Sequence, residues 1–407
     1  MKRKLAMICA LALSATAVLG GCGGKEDSSA GGKTKVRFAS WDVAEDVDRQ
    51  QALVDKFNEQ HEDIEVVLEA YGSDFDTKIS AGMGSGDTPD VMYMWNYPAY
   101  YEGLEPLDAY IEKEGEAYKE NFYDALWNYN SIGDSVYGIP VGFTTHALFY
   151  NKDLFAQAGV AEPDGSWTWD DLQAAAKTIS EKTGAKGFAF QMKPDPYDFE
   201  MYLWSNGTAY CDAEGNLNGK LNSQESKNVF QMFQDMEKEG YAIATEKSGT
   251  DEFRSGAAAM YIYGSWSINS FNEDGLNYGV TKLPSFGSDP SISILSSSGV
   301  SISKDSKNKE AAWEFVKFWT GEECNKERIG LELPVLNSVV KSEKVMEQAE
   351  YAPFYEMLEQ SSGYTPASFI IDSWSELSED LSLYFEQVFN PSVLQDVSEV
   401  LDEAAEN

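Results

Sequence analysis

Two tryptophans in the first quarter of the chain are each followed by a hydrogen-bonding side chain at the end of a predicted strand. The alternation of residues 36–40 predicts a strand that ends at Trp41 and Asp42, and residues 90–94 predict one that ends at Trp95 and Asn96. A pyranose ring offers an apolar C–H face to an aromatic ring and hydroxyls to polar side chains. A single large aromatic residue is usually a core residue. The repetition at equivalent strand ends favours a sugar-binding site over two core residues.

The elements around these pairs indicate an open α/β sheet. Residues 36–40, a helical stripe over residues 47–57 and a strand at residues 64–68 form a β-α-β unit. Such sheets bind ligands beyond the carboxyl ends of their strands. Later, residues 136–155 contain two apolar runs around Thr144, Thr145 and His146. This pattern fits either a crossover between two lobes or a strand pair within one domain, and periodicity leaves both open.

Length and charge limit the classes of function. A chain of 407 residues exceeds one usual core, so we expect at least two lobes. The formal net charge is −37, and removal of a leader with Lys2, Arg3 and Lys4 would leave 28 basic and 68 acidic residues, a net charge of −40. This field repels nucleic acid, so no nucleic-acid partner is expected. Nearby carboxylates are also weak evidence for catalysis in so acidic a chain.

The N-terminus is predicted to be an export signal. Basic residues 2–4 precede an apolar run over residues 5–19, which is too short to span a bilayer. The small residues before Cys22 resemble the lipobox of bacterial lipoproteins. That resemblance implies a signal peptide over residues 1–21 and lipidation of Cys22, and the alternative is a plain secretory signal with an incidental cysteine. The polar, Gly/Ser-rich residues up to 33 complete a flexible tether, 22–33.

The two later cysteines, Cys211 and Cys324, lie far apart and in no metal-like spacing. A disulfide between them would oppose lobe motion, so we predict two free, buried thiols. No metal ion and no cofactor is expected.

Ordered motifs over nearly the whole mature chain resemble those of the family 1 extracellular solute-binding proteins, which include the maltose-binding proteins. These motifs include KISAGMGSGDTPDVMYMW (78–95), YGIPVG (137–142), FYNKDLF (149–155), SWTWDDLQAAAK (166–177) and FRSGAAAMYIYGSW (253–266). The resemblance implies an α/β, two-lobe periplasmic-binding-protein fold, with a mixed sheet flanked by helices in each lobe and three crossovers forming a hinge. We assign residues 34–142 and 285–334 to the first lobe, and residues 143–284 and 335–407 to the second.

The resemblance also completes the expected ligand site. Trp95, Trp266 and Trp374 are expected to stack on sugar rings, and Trp266, which follows the strand exit Gly264-Ser265, is the strongest candidate. The full predicted set is Trp41, Asp42, Asp90, Trp95 and Asn96 from the first lobe, and His146, Tyr197, Trp204, Trp266 and Trp374 from the second.

Four of these assignments keep a structural alternative. Asp90 could anchor the turn after Pro89, His146 could be a satisfied structural histidine, and Tyr197 and Trp204 could belong to a packed helix followed by a turn. The segment Ser297-Ser298-Gly299 is expected either to contact the ligand or to form a flexible turn.

The predicted function is an extracytoplasmic receptor that closes on an oligosaccharide and delivers it to the permease of an ABC transporter. We expect a monomer held at the bacterial membrane by its lipid anchor. The alternatives are a polyamine-binding protein and a surface enzyme that acts on glycosides. The chain has only two histidines and no G-x-S-x-G, HExxH or P-loop motif, so an enzyme is not expected.

Overall fold

The computed structural model describes residues 32–287 and 290–406. The predicted signal peptide, Cys22 and all but the last residues of the tether lie outside the described residues.

Five strands form the first sheet, in the order β2-β1-β3-β12-β6. Strands β1, β2 and β3 run parallel, and β12 runs antiparallel to both β3 and β6. All four residues of β3 and all seven of β6 are buried, as expected for strands covered by helices on both faces. The strands are β1 Thr34–Ser40, β2 Ile64–Ala70, β3 Val91–Met94, β6 Ile139–Thr145 and β12 Leu295–Ile302.

The second sheet has the order β11-β7-β10-β8-β9. Here β7 runs antiparallel to β10 and β11, whereas β8 runs parallel to β9 and β10. The strands are β7 Ala147–Asn151, β8 Phe188–Gln191, β9 Ala242–Thr245, β10 Met260–Tyr263 and β11 Tyr278–Thr281. A separate hairpin contains β4 Ser131–Ile132 and β5 Ser135–Val136. Two mixed sheets in one chain confirm the predicted α/β class.

Helices cover the faces of both sheets. The helix from Trp169 begins with a capping box, in which Thr168 and Asp171 satisfy each other's backbone groups. The helices are α1 Glu45–Gln60, α2 Phe75–Ser85, α3 Tyr97–Tyr100, α4 Asp108–Glu114, α5 Glu116–Glu120, α6 Asp124–Tyr129, α7 Lys152–Ala158, α8 Trp169–Thr183, α9 Pro196–Ser205, α10 Gln224–Lys238, α11 Thr250–Arg254, α12 Ile268–Glu273, α13 Lys309–Trp319, α14 Glu322–Glu327, α15 Asn337–Ser342, α16 Ala352–Ser361, α17 Trp374–Phe389 and α18 Val397–Ala404.

The chain passes between the two sheets in one region, which we call the waist. His146 is the single residue between β6 of the first sheet and β7 of the second, so the crossover alternative for this segment is correct. The next passage leads from β11 back to β12, and its Ser293 hydroxyl accepts a hydrogen bond from the His146 backbone N–H at 2.7 Å. After α14, Leu333 pairs with Phe143 in β6, and α16 then contacts both β6 and β7.

Two clusters of buried apolar residues hold these layers together. In the first, Trp319 of α13 packs edge-on against Phe38 of β1, with ring centroids 4.8 Å apart. In the second, Phe230 of α10 stacks on Phe389 of α17 at 5.4 Å. Within residues 32–287 and 290–406, no helix combines the length and the hydropathy needed to cross a membrane.

Candidate ligand-binding cleft

A cleft of about 1210 Å³ is lined by residues that follow the carboxyl ends of strands in both sheets. Trp41 and Trp95 follow β1 and β3 directly, and the start of β12 lies at the same edge because β12 runs antiparallel to β3. The second sheet contributes the segment after β8, which leads into α9, and Trp266, which follows β10. Because ligands bind beyond the carboxyl ends of the strands in such sheets, residues that are far apart in sequence meet around one cavity.

Two of the predicted stacking residues expose much of their rings. Trp95 is 45% exposed and Trp266 is 51% exposed, and each comes from a different sheet. Large aromatic side chains are highly buried on average, so two half-exposed tryptophans in one cleft indicate a surface for a partly apolar ligand. Trp374 also lines the cleft, at the first turn of α17, where it packs against Tyr210 at 6.1 Å.

Trp41 lines the cleft but is also part of the packing beneath it. Its ring centroid lies 4.7 Å from that of Tyr93 and 5.2 Å from that of Phe75. The core of the first lobe thus fixes the Trp41 ring in place, and the partly exposed ring lines the cavity.

Asp42 and Asn96 reach the cleft with some of their polar atoms already in use. Asp42 Oδ2 accepts a hydrogen bond from the Ser40 hydroxyl at 2.8 Å and another from the Gln50 side-chain amide. Burial raises the pKa of Asp42 above its ordinary value. Asn96 Oδ1 accepts from the Ala99 backbone N–H at 3.4 Å and so caps α3. These contacts leave Asp42 Oδ1 and the side-chain nitrogen of Asn96 for a ligand.

Tyr197 of the predicted second-lobe set lies in the cleft wall near the start of α9. Its hydroxyl donates to the Leu295 backbone carbonyl at 2.6 Å and so links α9 to the first strand residue of β12. Asp195 caps the helix by accepting from the Tyr197 N–H at 2.9 Å. Desolvation, together with the neighbouring Asp195, raises the pKa of Asp198 to about 7.

The structure does not bring Asp90, Trp204 or His146 into the lining of this cleft. Asp90 precedes β3, so it lies at the strand's other end, where it accepts from the Arg37 backbone N–H at 3.0 Å and from the Ser306 hydroxyl at 2.5 Å. Trp204 is buried and packs against Tyr364 at 5.4 Å beside a much smaller cavity. Asp90 therefore has the anchoring role of its structural alternative, and Trp204 is the packed helix residue of its own.

His146 is buried behind Trp266, with ring centroids 6.1 Å apart. Burial lowers the pKa of His146 to about 3, so the imidazole is neutral at physiological pH. Neither ring nitrogen has a hydrogen-bond partner among the described residues, and Nε2 lies 3.9 Å from Asp198 Oδ1. His146 thus supports the wall that carries Trp266 and is not the satisfied histidine of the structural alternative.

A group of lining residues escaped the sequence analysis. Gln50 projects from α1, and Arg328 and Glu332 lie between α14 and the third passage at the waist. The only sequence signal was an Arg and a Glu four residues apart, and the chain contains many such charges. Ser297 and Ser298 also line the cleft, as the ligand-contact alternative for that segment expected.

The charges that line the cleft are mostly negative. Only two arginines, Arg49 and Arg328, are found among its described lining residues. The lining carboxylates are Asp42, Asp46, Asp76, Glu102, Asp195, Asp198, Glu332 and Asp372. Within the described part of the chain, no group of three or more His, Cys, Asp or Glu side chains is arranged to hold a metal ion.

A further buried carboxylate, Glu200 of α9, supports the cleft from behind. Its Oε2 accepts from the Ala367 backbone N–H at 2.9 Å and so fixes the segment that leads to Trp374. Burial raises the pKa of Glu200 to about 8. An unfolded glutamate ionises near pH 4.5, so the folded chain holds an extra proton between these values and its free energy of unfolding falls as pH rises.

Comparison with known proteins agrees with this arrangement. A family model described as bacterial extracellular solute-binding protein matches residues 44–326. The chain belongs to this family of bacterial extracellular solute-binding proteins.

Relatives and solved structures cover nearly all of the chain. It is 28% identical over 398 residues to the galactooligosaccharide-binding protein of Bacillus subtilis (strain 168), covering 89% of this chain and 91% of the relative. It is 25% identical over 386 residues to the arabinooligosaccharide-binding protein of the same organism, covering 88% and 86%. An ABC substrate-binding protein from Listeria monocytogenes, solved with cycloalternan, superposes with a TM-score of 0.79 at 23% identity, covering 92% of this chain and 98% of the other. The last likeness confirms the fold.

Proposed function

We propose that this protein is the extracytoplasmic receptor of an ABC importer and that its ligand is an oligosaccharide. The observation that carries the proposal is the pair of half-exposed tryptophans, Trp95 and Trp266, on opposite sides of one polar cleft. Flat apolar rings beside carboxylates, hydroxyls and an arginine match a sugar, whose ring faces are apolar and whose edges carry hydroxyls.

The size of the cleft supports an oligosaccharide over a monosaccharide. Ligand pockets for small molecules usually enclose about 300–1,000 Å³. The cleft here measures about 1210 Å³ and has three tryptophans, Trp95, Trp266 and Trp374, available as stacking surfaces. Two relatives carry the names galactooligosaccharide-binding and arabinooligosaccharide-binding protein, which supports the same class of ligand.

We further propose that closure of the two lobes around the sugar is the signal that the permease detects. Only a ligand that contacts both lobes more strongly in the closed state shifts the equilibrium toward it. Residues 34–142 with 285–334 and residues 143–284 with 335–407 are the proposed lobes. The first sheet extends three residues past the first of these boundaries, because β6 ends at Thr145.

The proposed location is the outer face of the bacterial cell membrane, where lipidated Cys22 anchors the receptor through the tether of residues 22–33. The family is extracellular, and the receptor acts as a monomer that presents its cargo to the permease. We expect no catalysis, because the family is described as solute-binding.

The test is calorimetric titration of a soluble fragment, residues 23–407, with galactotriose, arabinotriose, maltotriose and spermidine. We expect saturable binding of at least one neutral trisaccharide. Chromatography of the mixture afterwards should recover that sugar intact. Shortened products would show an enzyme, and a response to spermidine alone would show a polyamine receptor.

A further inference from the structure

The first-lobe side of the cleft contains a concentration of buried polar atoms that have no hydrogen-bond partner among the described residues. Gln50 and Arg328 are 6% and 4% exposed, and both line the cleft. The atoms without a partner are Gln50 Oε1, Arg328 Nε, Arg328 Nη2 and Glu332 Oε2. Buried polar groups are normally paired, so their concentration at one place in a ligand cleft indicates a binding surface.

Contacts on the protein side hold these groups in fixed positions. Arg328 Nη1 donates to the Trp319 backbone carbonyl at 3.0 Å, and the guanidinium carbon lies 5.3 Å from the centroid of the Trp319 ring. Glu332 Oε1 accepts from the Ser298 hydroxyl at 3.1 Å. Each side chain therefore uses part of its hydrogen-bonding capacity to fix its own position and keeps the rest available.

A glycine makes room for this arrangement. A Cβ atom at Gly142 of β6 would lie 2.6 Å from the carboxyl carbon and from Oε2 of Glu332. The Glu332 carboxyl group thus packs directly on the backbone of β6, and Arg328 Nε lies 3.6 Å from its Oε2. The Gln50 side-chain amide donates to Asp42, and Asp42 lies within electrostatic range of both Arg328 and Glu332.

We propose that Gln50, Arg328 and Glu332 form a subsite that binds two neighbouring hydroxyls of one uncharged sugar residue. The proposal rests on the oligosaccharide-binding function proposed above and names the chemical class that this end of the cleft accepts. Glu332 Oε2 and Gln50 Oε1 accept from the hydroxyls, and Arg328 donates to them through Nε and Nη2.

The donors and acceptors of the subsite decide between classes of ligand. A guanidinium only donates and a carboxylate only accepts, so the ligand must supply both an acceptor and a donor at this point. A hydroxyl does both. A polyamine supplies donors alone. The carboxylate of a uronic acid could accept from Arg328, but it has no proton to donate to Glu332 Oε2 or Gln50 Oε1 and would face the charges of Asp42 and Glu332.

The experiment compares variants with the neutral trisaccharide that the native fragment binds most tightly among galactotriose, arabinotriose and maltotriose. Glu332→Gln keeps the shape of the side chain but replaces an acceptor by a donor, so we expect affinity to fall at least tenfold with an unchanged melting temperature. Arg328→Lys keeps the charge but loses the paired donors, and we expect a similar loss. If Arg328→Lys does not fold, Glu332→Gln decides alone.

Glu69→Gln is the matched control, because Glu69 also pairs with an arginine, has a similarly shielded side chain (22% exposed against 25% for Glu332) and does not line the cleft. It should bind like the native protein. Trigalacturonate should bind the native protein at least a hundredfold more weakly than the neutral probe.

The outcomes separate the two proposals. Unchanged sugar affinity in both cleft variants, or trigalacturonate binding as tight as that of the neutral probe, would overturn the subsite and leave the receptor function in place. Absence of binding by all three neutral sugars in the native protein would overturn both.

Discussion

Replacement of Trp266 by alanine should weaken sugar binding about tenfold or more while the fold persists. A tryptophan side chain presents on the order of 250 Å², and 51% exposure of Trp266 leaves roughly half of that for a ligand. If a sugar face covers about 60 Å² of it, the loss at ~25 cal/mol per Å² is ~1.5 kcal/mol, and 1.4 kcal/mol corresponds to a tenfold change in affinity.

The assay is calorimetric titration of native and Trp266→Ala fragments with the same trisaccharide, with thermal unfolding measured in parallel. Trp266 is half exposed and lies beyond the end of β10, so its removal leaves no core cavity of the kind that destabilises proteins strongly. Trp167→Ala is the control, because Trp167 is partly buried, packs on Phe155 at 6.0 Å and does not line the cleft. A dissociation constant for Trp266→Ala within twofold of the native value, with the fold intact, would refute the stacking role.

Two further predictions concern buried groups. The free energy of unfolding should fall between pH 6.5 and 8, and Glu200→Gln should remove about 1.5 kcal/mol of that fall, because the folded pKa of Glu200 is about 8 against about 4.5 when unfolded. His146, with its pKa lowered to about 3, acts in the opposite direction, mainly below about pH 7, and Asp198, with its pKa raised to about 7, acts in the same direction as Glu200. Comparison of the native and Glu200→Gln fragments at each pH therefore isolates the Glu200 effect. Cys211 and Cys324 are free and buried, and burial raises the pKa of each thiol to about 11. A disulfide-exchange reagent should therefore react slowly with the native fragment and should titrate two thiols after unfolding without reductant, whereas a count of none would show a disulfide.

The fold was predictable from sequence because strand and helix patterns are local. The predicted strands at residues 36–40 and 64–68 lie within β1 and β2. The capping box at Thr168 that begins α8 is likewise a local pattern of two residues three positions apart. Trp41 and Trp95 could be placed in the cleft from strand direction alone, since both follow parallel strands of one sheet.

The same rule explains where the sequence analysis failed. Asp90 stands one residue before β3 and so belongs to the strand's opposite end. Trp204 lies seven residues after Tyr197 on α9, which is two helical turns and about 10 Å farther along the axis, beyond the reach of the cleft. In both cases, proximity in sequence to a cleft-lining residue did not bring the side chain into the cleft.

The missed residues were unpredictable for a different reason. Arg328 and Glu332 follow a short helix far along the chain, and they reach the cleft only because the chain passes the waist at this point. In a chain with 68 acidic and 31 basic residues, an Arg and a Glu four positions apart resemble any exposed helical pair. They differ from surface charges in their burial and in the polar atoms that have no hydrogen-bond partner among the described residues.

The position of Glu332 connects ligand contact to lobe motion. Leu333, the next residue, pairs with Phe143 of β6, and β6 leads through His146 into the second sheet. In the proposed site, a sugar bound to Glu332 would lie one residue from one passage between the lobes, and Trp266 would contact the same sugar from the second sheet. A ligand closes the lobes only through differential affinity, and a contact that bridges these two points exists only when the lobes are near each other. The subsite and the stacking tryptophan should thus act together, so that loss of either weakens closure as well as binding.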